Sequence, residues 1–288
     1  MGEKDLAEKC LEAYNDVFAD IYNVLLFHKK VIGEEQLKNG VGETIYKAPD
    51  GNAKNQIRDV IKECTAGRFA IACMGIENQS TIDRHMPVRI MGYDYGNYQH
   101  QIANGQECVP AITLVLNFGR RRWVRPLGLK DMMKIPEELE PYVQDYRIHV
   151  FDVAYLPREV REQFTSDFKI VADFFAEKNR EDYTPSKETI QHVEAVLEML
   201  RVFTNDPTYE KIKSEMLQWS REGRAISMCT FADRMKNLGI QQGIAQGREQ
   251  GIMQERLRNE KLIQEKDKAL IEKDNIIHEL KLQLASLQ

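Results

Sequence analysis

The chain has 288 residues, 42% of them hydrophobic, 8% aromatic and 30% charged, which fits a packed protein of about two domains' size and excludes a wholly disordered chain, a collagen-like fibre and a small disulfide scaffold. No window approaches 18 uninterrupted apolar residues, and the charged start MGEKDLAEKC lacks the apolar run of an export signal. A cytoplasmic chain with no membrane partner is therefore expected. The net charge of −5 argues against coating nucleic acid by bulk charge but leaves room for a local basic patch. Cys10, Cys64, Cys73, Cys108 and Cys229 are odd in number and form no CxxC pair, so reduced, mostly buried thiols are expected and a zinc site is not.

In chain order, residues 4–27 carry Leu6, Leu11, Val17, Ile21, Val24 and Leu25 at helical spacing, with Phe18 and Tyr22 widening the stripe. This spacing predicts an amphipathic helix. Gly33, Gly40 and Gly42 punctuate the next stretch, and Ala-Pro-Asp-Gly-Asn at 48–52 is a turn signal. Two strand-like runs, 56–64 and 68–77, flank Thr65-Ala66-Gly67 and predict a hairpin. The second run, RFAIACMGIE, is apolar at nearly every position and reads as a central strand buried on both faces. A helix is expected over 88–104, strands over 109–118 (VPAITLVLNF) and 147–156 (RIHVFDVAYL), and helices over 158–177, 187–203 and 208–219. That order is a mixed α/β core with a helical tail.

From about Gly239 the character changes. Gly239, Gly243, Gly247 and Gly251 recur every four residues, giving a smooth helix face at a cost on the order of 1 kcal/mol per glycine relative to alanine. Either a packing partner or a hinge would justify that cost. Beyond them Ile263, Leu270, Ile277 and Leu284 occupy one heptad core position, and Leu280 and Leu287 the other, where Lys266 and Lys273 stand earlier. The direct reading is a coiled coil that joins copies into a homo-oligomer; the alternative is a long single helix.

The chemistry candidates lie on the hairpin. Asp59 falls inside the strand-like run IRDVIKEC, and Glu77 and Gln79 where IACMGI turns polar as ENQ. Acids are depleted from buried strands, so two of them across a hairpin ask for a positive partner, and a divalent metal is the usual answer. Mg²⁺ takes hard oxygen ligands and often binds through one or two carboxylates plus waters and substrate phosphate. A three-residue loop at 65–67 would set Asp59 opposite Cys73 and project Asp59, Cys73, Gly75, Glu77 and Gln79 from one face. A two-residue loop at Ala66-Gly67 would send Glu77 to the far face and break the site.

Basic residues gather between 84 and 130: Arg84, Arg89, Arg120, Arg121, Arg122, Arg125 and Lys130, against Asp94 and Glu107. The RRRW run comes after the strong strand TLVLNFG, so Arg120, Arg121, Arg122 and Arg125 are candidates to hold nucleic-acid phosphates, with Trp123 either stacking on a base or packing underneath. Asp83 and Asp94 read as turn or helix-cap residues. The histidines form no HxxxH pair, and neither a Gly-Lys-Ser/Thr phosphate loop nor GxSxG is present, so no nucleotide cofactor and no esterase chemistry are indicated.

Taken together, YNDVFADIYNVLLF, IRDVIKEC, GIENQSTIDRHMPVRIMGYD, TLVLNFG, SDFKIVADFF and the glycine-every-four tail resemble the PD-(D/E)XK nuclease family transposases of the recombination-promoting nuclease group, over about residues 10–255. The resemblance implies a restriction-endonuclease-like mixed sheet flanked by helices over 1–157, a helical region over 158–238, and the tail over 239–288. It implies a Mg²⁺-dependent DNA endonuclease in which Asp59 and Glu77 ligate the ion with the backbone carbonyl of Asn78. Gln79 stands where distant relatives place a lysine; glutamine orients a water but adds no charge. Asp16 and Asp20, one helical turn apart, are the accessory acids this implies, with a helix-surface role as the alternative. The rival reading is a non-catalytic, oligomeric DNA-binding or assembly protein on the same scaffold.

Overall fold

The computed structural model describes residues 11–40, 43–47, 53–57, 59–66, 69–178, 183–204 and 208–286. The turn signal at 48–52 and the first part of the helix expected over 4–27 lie outside them. The chain divides into two compact units, Met1–Ala232 and Asp233–Gln288.

In the first unit, five strands form a mixed sheet: β1 (Leu37–Asn39), β4 (Val60–Ala66), β5 (Phe69–Gln79), β6 (Ala111–Asn117) and β7 (His149–Asp152), in that spatial order. The hairpin β2 (Glu43–Lys47) and β3 (Ala53–Ile57) stands apart as a two-stranded sheet. β1, β4 and β5 pair antiparallel, while β5, β6 and β7 run parallel. A parallel pair needs a crossover, and helix α2 (Met86–Ala103) supplies it between β5 and β6. Helix α1 (Asn15–Tyr22) continues into a π-helical turn, Asn23–Phe27. This is the α/β nuclease-like arrangement the resemblance implies.

The alternation of β5 assigns its two faces. Cys73, Gly75 and Glu77 share one face with Thr113 and Val115 of β6, and Met74, Ile76 and Asn78 share the other with Leu114 and Leu116. Helix α2 covers the first face: Met86, Ile90 and Tyr93 pack with Val115, Trp123 and Ile148, and Gln101 Nε2 donates to Cys73 Sγ. The segment leading into α1 meets the second face, where Lys62 Nζ donates to the carbonyl of Ala13 and to Asn39 Oδ1. Burial lowers the proton affinity of that ammonium.

The helix expected over 158–177 is two helices, α3 (Arg158–Arg161) and α4 (Phe168–Lys178). Side-chain carboxylates occupy the break. Asp20 accepts the backbone N–H groups of Thr165 and Ser166, and Asp167 accepts those of Gln191 and His192. The second pair also explains why the next helix, α5 (Val193–Thr204), starts at 193 rather than 187, since orphan donors at a helix start need acceptors. Helix α6 (Thr208–Arg221) comes after it.

The last helix, α7 (Met228–Ser286), runs through all four tail glycines. A Cβ at any of them would meet nothing within 4 Å. Among the described residues, no helix is long and apolar enough to cross a membrane.

Candidate active site at the strand ends

The hairpin register differs from the one expected. Ala66 pairs with Phe69, and a bulge between Cys64 and Thr65 shifts the ladder so that Glu63, not Asp59, faces Cys73. Without the bulge, the Ala66–Phe69 register would have sent Glu77 to the face away from position 59. The extra residue on β5 restores the parity. Beyond it Val60 pairs with Ile76, so continuing the ladder by one residue sets Asp59 level with Glu77.

Asp59 Oδ2 accepts the backbone N–H of Asn78 at 2.7 Å, taking the place of a ladder partner that β4, which starts at Val60, does not provide. A residue's N–H and C=O point to the same neighbour in an extended strand, so the Asn78 carbonyl is directed to the Asp59 side. The next carbonyl, that of Gln79, accepts Phe118 N–H at 2.8 Å on the β6 side.

Glu77 is completely buried, and a carboxylate there needs compensation. Arg89, reaching down from α2, forms an ion pair with Glu77 Oε1, and Gln79 Nε2 donates to the same oxygen at 3.1 Å. Arg89 Nε also donates to Tyr93 Oη at 2.9 Å, and its Nη1 lies 3.8 Å from Asp83. Burial works against the guanidinium's charge, but Glu77 first, then Tyr93 and Asp59, reverse this and hold its pKa above the ordinary value. The Tyr93 hydroxyl is pushed far up by burial, reinforced by Glu77. By sequence Arg89 belongs to the basic stretch; the structure turns it inward. A signal was available: the inward residues Met86, Ile90 and Tyr93 place Arg89 at the edge of the sheet-facing surface.

Asp16 and Asp20 are drawn elsewhere. Asp16 meets His192 Nε2 at 3.0 Å, and Asp20 holds the 165–166 backbone. The acid from this part of the chain that meets the strand end is Glu12, which the sequence reading missed. Completely buried, it accepts Asn78 Nδ2 at 2.6 Å, on the sheet face opposite Glu77. Its place in the helical stripe beside Leu11 was the signal.

The carboxyl ends of β5 and β6 open into a cleft of about 470 Å³ lined by Ser80, Thr81, Ile82, Asn117, Gly119, Arg120 and Arg121. Asn117 Nδ2 and the Trp123 N–H both donate to Asp152, which fixes the arginine loop on the end of β7. Arg120, Arg121, Arg122 and Arg125 are exposed, with Arg122 stacked over Tyr155 and Arg125 3.5 Å from Asp131. Trp123 is not a stacking platform. It is 5% exposed, packed in the α2 cluster, with Nε1 donating to Pro126 O at 3.0 Å.

Gly119 lets the loop turn into the cleft: a Cβ there would stand 2.6 Å from the Ser80 carbonyl and 2.9 Å from Asn117 Oδ1. Gly119→Ala should cost about 1–3 kcal/mol by urea denaturation, as overpacking against backbone does. A cost near zero would mean that the loop yields freely.

Asp59 and Glu77, level with one another along the strand end, are two hard oxygen donors, a set that suits an ion keeping several waters. Among the described residues, no group of three or more His, Cys, Asp or Glu gathers to hold a metal.

The chain matches no curated protein and no solved structure. Residues 61–202 match a family model described as "Putative transposase, YhgA-like". The matched stretch holds Glu77, Gln79, Arg89 and the arginine loop, starts two residues after Asp59, and is narrower than the 10–255 of the resemblance. Over residues 61–202, just under half of its length, the chain is similar to the YhgA-like transposase family, which is of the PD-(D/E)XK type.

Proposed function

We propose that the protein is a Mg²⁺-dependent DNA endonuclease. The observation that carries this reading is the register that, continued one residue past Val60–Ile76, sets Asp59 level with Glu77 near the end of β5, three residues before Ser80 of the cleft that Arg120 and Arg121 also line. Asp59, Glu77 and the Asn78 carbonyl would hold the ion. When bound, it supplies Lewis-acid polarisation of the phosphodiester and lowers the pKa of a water. Gln79 orients that water through its amide, and Arg89 provides the fixed positive charge that glutamine lacks. Arg120, Arg121, Arg122 and Arg125 hold the backbone phosphates. In the hydrolysis the water oxygen would bond to phosphorus as one phosphoester P–O bond breaks, the water's proton passing to solvent and the departing oxygen taking one up from it. The exposed Ile263 and Leu270 on α7 support pairing of copies through the tail, so that two sites can serve two strands.

One observation favours the rival, a non-catalytic DNA-binding or assembly protein: Arg89 already neutralises Glu77. Plasmid nicking with Mg²⁺ and with EDTA separates the two. The nuclease reading expects nicking abolished by EDTA and reduced at least ~100-fold in both Asp59→Ala and Glu77→Ala, the scale of losing one electrostatic contact to the transition state. Circular dichroism of each variant checks the fold. Nicking that survives either change overturns it, and DNA retention without metal-dependent nicking, indifferent to Glu77, establishes the rival.

A further inference from the structure

Helix α2 is apolar on two faces. Its inner face packs on the sheet. Its outer face carries Val88, Met91, Tyr95, Tyr98 and Ile102, spaced by 3, 4, 3 and 4 residues and exposed between 36% (Tyr98) and 60% (Tyr95). That spacing is the seam of a paired helix rather than a solvated surface. The helix has two formally charged side chains, Arg89 and Asp94, and both are engaged inward: Arg89 on Glu77, and Asp94 with Thr113 Oγ1 and Tyr146. The outer face therefore presents no charge that would oppose a like surface.

We infer that a second copy of this chain docks here, α2 against α2, antiparallel about a two-fold axis between Tyr95 and Tyr98. The stripe is self-complementary in that register. Tyr95 meets Tyr98 of the second copy on both sides of the axis, and Met91 meets Ile102. Half-buried Gly92 and Gly96 flank Tyr95 and leave room for its ring. Scaling the exposures by ordinary side-chain areas gives roughly 450 Å² per copy, hence about 900 Å² for the pair, just under the ~1,000 Å² of a stable specific interface and the size of a weak, concentration-dependent one. A second copy fits that area because the two-fold uses the same patch twice. This interface is separate from the tail.

The pairing also relates the two candidate sites. Arg89, beside Glu77, is between seven and eight residues from the axis, so at 1.5 Å rise per residue the two arginines would lie roughly 22 Å apart along the helices. One face of the dimer would then present both strand ends to one nucleic acid. This last point rests on the nuclease reading; the interface does not.

Cysteine pairing in the full chain tests the register. Exposed Cys108 is replaced by serine as the parent, and Met91→Cys and Ile102→Cys are made singly and together. Within one helix the two positions lie about 16 Å apart at 1.5 Å per residue, too far to bridge. Across the axis they meet. Under mild oxidation, the double variant should form at least tenfold more disulfide-linked dimer than either single variant or the parent. Adding Tyr95→Lys to the double variant should lower its disulfide-linked dimer at least tenfold, a readout that pairing through the tail does not supply. Equal crosslinking in the singles, no crosslinking in the double, or a monomer at every concentration overturns the proposal. Failure of the plasmid assay with crosslinking intact would remove the nuclease reading alone.

Discussion

Arg89→Met should destabilise the folded chain by about 3–5 kcal/mol, and adding Glu77→Gln should recover most of that loss. The carboxylate of Glu77 is completely buried, and the Arg89 guanidinium is paired with it. Breaking a buried pair by removing one partner leaves an uncompensated charge, and that penalty is of this size. Methionine keeps much of the side chain's packing, so the effect reports charge more than volume. The reverse single change, Glu77→Gln, should cost less, because the Arg89 side chain is 35% exposed and has Asp83 within 3.8 Å. Water and a half-exposed acid then share its charge. Urea midpoints for the two singles and the double form a cycle with a coupling of several kcal/mol. Additive effects would mean that the pair is not coupled and that Glu77 is compensated from elsewhere.

How the sequence encodes this site differs from one residue to the next. Strands β5, β6 and β7 were legible because short, largely apolar runs with a glycine or proline at one end (Gly67, Gly119 and Pro157) have few other readings. The existence of the hairpin was legible too, but its register was not. Counting from the turn assumes an unbroken ladder, and the bulge between Cys64 and Thr65 adds a residue that no local signal announces. Asp16 and Asp20, one helical turn apart, were candidate accessory acids because the resemblance brings an acid from this helix toward the metal. Their partners, His192 and the 165–166 backbone, are more than 140 residues away, and sequence spacing carries no information over that range. Arg89 was counted only among the basic residues between 84 and 130, because its pairing with Glu77 depends on which face of its helix it occupies. Trp123 was open between stacking and packing, and Asp152, by accepting its N–H, is what settles the loop inward.

Trp123 and Arg121 sit two residues apart on one loop, and their substitution should separate folding from DNA retention. Trp123→Ala should cost about 3–5 kcal/mol, the usual range for truncating a large buried aromatic, because the ring is packed among Met86, Ile90, Tyr93, Val115 and Ile148. Trp123→Phe should cost less, about 1–3 kcal/mol, much of it from leaving the Pro126 carbonyl without its Nε1–H donor. Arg121 is exposed and lines the cleft, so Arg121→Ala should shift stability by under ~0.5 kcal/mol. If the loop holds phosphates, the same change should weaken DNA binding across all sequences and lower the salt-dependence slope by about one. Thermal melts and DNA binding at several salt concentrations read both effects. A Trp123→Ala protein that melts like the parent but no longer retains DNA would reverse the assignment. The indole would then be reaching a base, and the buried cluster behind α2 would hold without it.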